Sequence, residues 1–178
     1  YYNGQSLVSD QIYDTWIDEL YKLDPKNPAV IGIGCDPSSG WEEYSHKIPM
    51  GSLNKCQTED EYKFWHSKYV DDNDKVLFTL KLDGLSVSII YENGVLVKAA
   101  TRGNGTAGEL ITQNVAKMIG VPLRLKENIN ITVRGEILLS KDNYKKYFSE
   151  YSNTRNAASG ISRRYDGEGC DKLTVLTY

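Results

Sequence analysis

Leu85-Ser-Val-Ser-Ile-Ile-Tyr91, Glu92-Asn93-Gly94 and Val95-Leu-Val-Lys-Ala-Ala100 decide the fold. Two β-prone runs flank an Asn-Gly pair, and those two residue types tolerate the positive φ that a tight hairpin turn requires. The chain must therefore fold back on itself as an antiparallel pair. Just before it, Val76-Leu-Phe-Thr-Leu-Lys-Leu82 is a near-continuous apolar run with one lysine in it, and reads as a further strand. Residues 129–139, around Arg134-Gly135-Glu136, read as another, and Leu173-Thr-Val-Leu-Thr-Tyr178 as a last one. Residues 108–119 and 142–151 read as helices. Helices and strands are interleaved while the hairpin is antiparallel. The expected class is α+β, mostly antiparallel sheets with flanking helices, and not a doubly wound parallel sheet.

Towards the amino terminus, Tyr13, Trp16, Ile17 and Leu20 fall at helical spacing on one stripe. Ser9 or Asp10 can cap that helix and Pro25 ends it. Pro25, Pro28, Pro37 and the turn-formers of Asp36-Pro-Ser-Ser-Gly40 mark a linker or extended loop. Two units are expected: a small helical one over residues 1–28 and a core over residues 29–178. Thr58-Glu-Asp-Glu61 is a capping box that starts a second helix, and its stripe of Tyr62, Trp65 and Tyr69 reads as core-facing.

The chain has 178 residues, with 21 Lys+Arg against 24 Asp+Glu and a formal net charge of −3. Any contact with nucleic acid must then come from a local cationic surface and not from net charge; Arg155, Arg163 and Arg164 cluster late enough to supply one. The composition excludes a collagen, a disulfide scaffold and a disordered tail. No apolar run approaches a membrane span. Cys35, Cys56 and Cys170 have no metal-site spacing and read as thiols in a reducing compartment. His46 and His66, the two histidines, cannot make a zinc site unaided. Both ends read as cut, so a longer parent is expected.

Chemistry concentrates at Leu80-Lys81-Leu82-Asp83-Gly84. A charged lysine buried in a strand is costly, and alone it reads as an edge residue that reaches solvent. Here Asp83 lies two residues on, on the same face of an extended strand, and Gly84 lets backbone or ligand approach closely. Thr101-Arg-Gly-Asn-Gly-Thr106 and Val133-Arg-Gly-Glu136 each add a charged residue beside a glycine. A nucleophilic amine among cations and carboxylates suits a phosphorus electrophile that carries a sugar.

The ordered set extends the reading. His46-Lys-Ile-Pro-Met-Gly-Ser-Leu53, Lys81-Leu-Asp-Gly84, Tyr91-Glu-Asn-Gly-Val-Leu-Val97, Ala99-Ala-Thr-Arg-Gly-Asn-Gly-Thr106, Val133-Arg-Gly-Glu-Ile137 and Asn153-Thr-Arg-Asn-Ala-Ala-Ser-Gly160 together resemble the NAD-dependent DNA ligases, a branch of the covalent nucleotidyltransferases. Val8-Ser-Asp-Gln-Ile-Tyr-Asp14 resembles the small domain particular to that branch.

The resemblance implies that Lys81 attacks the α-phosphorus of NAD, releases nicotinamide mononucleotide and carries AMP. The AMP then passes to the 5′-phosphate of nicked double-stranded DNA, in replication and repair. Asp83 would assist or help place the metal. Arg102 and Glu136 would hold the ribose and its phosphate, Ser52 and Leu53 would line the adenine entrance, and Tyr178 would stack on adenine. Arg155 and Arg163 would face phosphate of the nucleotide or the nick. Tyr1, Tyr2, Asp10, Tyr13 and Asp14 would grip the nicotinamide mononucleotide half. Mg2+ would be bound through phosphates, with no metal ligands of the chain's own. A monomer in the cytoplasm, at the nucleoid or a viral replication site, is expected. The sequence departs from the family pattern at Thr79, Asn104 and Thr154, where a glutamate, an aspartate and a proline are usual. The alternatives are an ATP- or GTP-using nucleotidyltransferase of RNA-ligase or capping type, and a non-catalytic homologue that binds nucleic acid.

Overall fold

The Asn93-Gly94 turn closes as its sequence requires, with φ of 49° at Asn93 and 75° at Gly94. It joins β2 (Leu85–Glu92) to β3 (Val95–Thr101). In the computed structural model, which describes residues 8, 10–31 and 40–178, β2 also pairs antiparallel with β5 (Ile131–Leu139). That strand pairs with β6 (Leu173–Thr177) in turn, giving the sheet order β3-β2-β5-β6. A second antiparallel pair is formed by β1 (Glu43–Ser45) and β4 (Ala107–Glu109). The helices are α1 (Asp10–Leu23), α2 (Pro28–Ile31), α3 (Glu59–Tyr69), α4 (Thr112–Val115), α5 (Lys141–Tyr147) and α6 (Thr154–Ser162). The α+β class with antiparallel sheets and flanking helices holds.

Strand alternation divides the large sheet into two unlike faces. Val87, Ile89, Ile137 and Val175 turn to one side and are buried against Ala157, Ala158 and Ile161 of α6 and against Ile111, Val115 and Met118 around α4. Each fully buried branched side chain there contributes about 1.5–3 kcal/mol. The other parity carries Ser86, Ser88, Arg134, Glu136 and Leu176, which are cross-strand neighbours: Ser86 faces Glu136, Ser88 faces Arg134, and Glu136 faces Leu176. This second face is mostly polar and is the one that bears on function.

Several expectations are corrected. Residues 76–82 form no strand. An apolar run becomes a strand only when a ladder partner exists, and among the described residues none pairs with it; Leu77 and Leu80 stand 85% and 91% exposed. The helix expected over 108–119 shrinks to α4, because its first residues pair with β1 as β4. The helix expected over 142–151 stops at Tyr147. Helix α6 was not foreseen, and Asn153 caps it by accepting from the Asn156 amide at 2.7 Å.

The capping box of α3 forms as read, with Thr58 and Glu61 bonded reciprocally. Its aromatic stripe, however, is not core: no α3 residue is buried, and Tyr62, Trp65 and Tyr69 contact one another instead. Among the described residues no helix is long and apolar enough to cross a membrane.

Candidate active site

Gly84 fixes the segment that carries Lys81 and Asp83 to the sheet. A Cβ at this position would lie 2.0 Å from the Ile137 carbonyl oxygen, so only glycine lets the chain pass that close to β5. The Gly84 amide donates to Glu136 Oε1 at 3.1 Å, and the Ser86 hydroxyl donates to Glu136 Oε2 at 2.8 Å. Glu136 is buried at 7% exposure. A buried carboxylate is tolerated when its oxygens are hydrogen-bonded, and here each oxygen has a donor. The next strand joins through the Arg102 amide, which donates to the Ser86 carbonyl at 3.0 Å.

Lys81 and Asp83 lie just outside this anchored point, both exposed. They are not held by strand alternation, since 81–83 is extended chain without a ladder. Asp83 Oδ1 accepts from Arg155 Nη1 at 2.8 Å. That pair bridges the lysine segment to the start of α6, and with side-chain exposures of 68% and 36% it is weak enough to exchange partners. Hydrogen bonds thus bring Asp83, Glu136, Arg155 and the backbone of Arg102 to the start of β2, with Lys81 two residues before Asp83 in the chain.

A second set of contacts brings residues 46–50 over the same region. The His46 amide donates to the Thr106 carbonyl and the Met50 amide to the Gly105 carbonyl, both at 2.8 Å. His46 Nε2 donates to the Thr101 carbonyl at 3.0 Å. Arg134 Nη2 donates to the carbonyls of Ile48 and Pro49, each at 3.0 Å. These bonds stop short of Ser52 and Leu53, which are exposed, Leu53 at 93%. Tyr178 follows β6, its amide bonded to the Arg134 carbonyl at 3.1 Å and its side chain 71% exposed.

Arg163 is engaged elsewhere. Its Nε lies 2.6 Å from Glu109 Oε2, and Glu109 is 2% exposed. Trp41 Nε1 donates to the Arg163 carbonyl at 3.2 Å and stacks on Tyr165 with centroids 5.0 Å apart. Glu109 was not foreseen; its signal was a lone carboxylate in Ala107-Gly-Glu109, on a stretch read as helix. Asn104 keeps its loop closed, Oδ1 accepting from the amides of Thr106 and Ala107 at 3.0 and 2.9 Å. An aspartate oxygen would accept the same bonds, so Asn104 preserves the loop.

Tyr13 is half-buried on α1, and Asp10 and Asp14 belong to the same helix. Tyr1 and Tyr2 lie outside the described residues. Among the described residues no three His, Cys, Asp or Glu side chains converge to hold an ion.

An antiparallel sheet with flanking helices, a glycine-docked segment carrying Lys81 and Asp83 at its head, and a buried glutamate that accepts from that glycine are consistent with an α+β nucleotidyltransferase domain. Residues 38–178 match the family described as the NAD-dependent DNA ligase adenylation domain, and the chain belongs to that family. It is similar over its whole length to proteins named DNA ligase from Sorangium cellulosum (38% identical) and Treponema pallidum (37%), and over 93% of its length to one from Lysinibacillus sphaericus (35%). It covers 30%, 22% and 28% of those proteins, so it spans less than a third of their length.

Proposed function

We propose that Lys81 is the residue to which AMP becomes attached, with NAD as donor. The lysine Nζ forms a bond to the α-phosphorus of NAD. The P–O bond to nicotinamide mononucleotide breaks, and that nucleotide leaves with the electron pair. One ammonium proton passes to solvent beforehand, and a second leaves the nitrogen after the bond to phosphorus has formed. The AMP then moves to a 5′-phosphate at a nick in double-stranded DNA. The carrying observation is the docking of Gly84, three residues beyond Lys81, onto buried Glu136, while Asp83, two residues beyond Lys81, pairs with Arg155.

A guanidinium that trades a carboxylate for a phosphate suits a site that must accept a charged nucleotide. Arg102 and Arg155 are the arginines assigned to phosphate. Tyr178 is assigned to adenine, with Ser52 and Leu53 at the entrance. Arg163 has its Nε committed to Glu109, so any phosphate contact it makes uses its remaining donors. Residues 1–28 are assigned to the nicotinamide mononucleotide half, through Tyr1, Tyr2, Asp10, Tyr13 and Asp14. Mg2+ carried in on the phosphates would neutralise their charge.

The test is incubation of the full-length polypeptide with adenine-labelled NAD, or with labelled ATP, followed by a search for acid-labile label on protein. NAD-dependent label is expected on wild type and absent from Lys81→Ala, whose exposed side chain can be lost without unfolding. Label on the variant would move the nucleophile elsewhere. Preference for ATP would return the chain to the capping or RNA-ligase reading. No label from either donor would leave the non-catalytic one.

A further inference from the structure

We propose that Ser86 is a positioning residue that holds Lys81 in register through the Glu136 carboxylate; this rests on Lys81 being the nucleophile. Ser86 and Glu136 are direct cross-strand partners on the polar face of the sheet. Glu136 has two oxygens and two assigned donors, the Ser86 hydroxyl on one and the Gly84 amide on the other. A carboxylate with a donor on each oxygen has its torsion fixed. With only one it can rotate towards whatever donor remains.

The Gly84 amide is the point at which segment 81–83, with Lys81 and Asp83 exposed, is tied to the ladder, because Leu85 begins β2. Loss of the serine hydroxyl would leave Oε2 buried without this donor and free the carboxylate to swing away from Gly84. Ser86 also accepts from the Arg102 amide through its carbonyl, so one residue links the nucleophile segment, the buried carboxylate and the arginine loop. The hydroxyl matters for the first two alone. A side-chain replacement therefore tests that link without cutting the backbone bond to Arg102.

In the full-length polypeptide, Ser86→Ala is expected to slow single-turnover attachment of AMP at saturating NAD by about tenfold or more, since small misplacements of a nucleophile are costly. The NAD concentration at half-saturation should stay within about threefold. Ser86→Thr, which keeps the hydroxyl on a strand-compatible side chain, should restore the rate. A role in stability alone would lower the melting temperature of Ser86→Ala while leaving the turnover of folded protein unchanged, and that result overturns the proposal.

Amide exchange supplies a reading that needs no chemistry. The Gly84 amide should exchange about tenfold faster in Ser86→Ala, while Ile89 and Ile137 in the same ladders keep their protection. Unchanged Gly84 protection overturns the proposal whatever the label does. Faster Gly84 exchange in a protein that takes no label from NAD would instead keep the Ser86–Glu136–Gly84 link and refute the assignment of Lys81.

Discussion

Cys170 shows how burial, more than the surrounding charges, sets the behaviour of a group. Its side chain is fully buried, its thiol donates to the Ile161 carbonyl at 3.4 Å, and desolvation pushes its pKa up to about 11. In the unfolded chain a thiol titrates near about 8.5. The folded state therefore holds its proton longer, and stability is intact below the unfolded value and lost as pH rises through the window up to 11. The loss reaches about 3 kcal/mol at the top of that window. Urea midpoints of wild type should fall between pH 8 and pH 10.5, and those of Cys170→Ala should fall less. Tyr91, also pushed up by burial, adds to the decline in both proteins, so the difference between them isolates the thiol. Equal declines would show that Cys170 does not titrate in this way. At the site itself the exchangeable pair is Asp83 with Arg155, both reaching solvent, whereas Glu136 is fixed from two sides.

Helix α3 is held by its cap more than by its packing. Glu61 Oε2 accepts from the amides of Gln57 and Thr58, the Thr58 side chain accepts from Glu61, and Glu59 pairs with Lys63 at 2.7 Å. Thr58→Ala should cost the helix about 1 kcal/mol. Because no α3 residue is buried, that loss should appear as roughly fivefold faster amide exchange within α3 and leave the global melting temperature nearly unchanged. A fall of several degrees in melting would mean that α3 unfolds together with the core.

The cap was legible because Thr58 and Glu61 bond to atoms within four residues in sequence, and the Asn93-Gly94 hairpin was legible for the same reason. Helix α6 does carry local signals, the capping Asn153 and buried Ala157, Ala158 and Ile161 at helical spacing, but they span only nine residues with a single large apolar side chain among those buried. The strand expected over 76–82 was misread because apolar content reports burial or pairing potential, and pairing needs a partner elsewhere. The charged residues of the site were legible as types beside glycines. The Ser86–Glu136 bond was not, since it joins residues 50 apart through a strand register that no local pattern encodes.

Across the molecule, one face of the β3-β2-β5-β6 sheet is spent on the core and the other is left to polar groups. The arrangement places Glu136 and Arg134 on a rigid platform while Lys81, Asp83 and Arg155 sit at its rim. Sites on strands are held more closely than sites on loops, which suits a residue such as Glu136 that must orient another segment.

The exposed run at 76–82 has a consequence for handling the polypeptide. Leu77, Phe78 and Leu80 are 85%, 75% and 91% exposed on extended chain whose amides and carbonyls lack a ladder among the described residues. Such a segment is a template for intermolecular β-pairing, so the 178-residue polypeptide prepared by itself should scatter light increasingly with concentration. A charge placed inside such a window acts as a gatekeeper, and Leu77→Lys should delay that self-association without lowering the melting temperature, because the side chain it replaces already faces water.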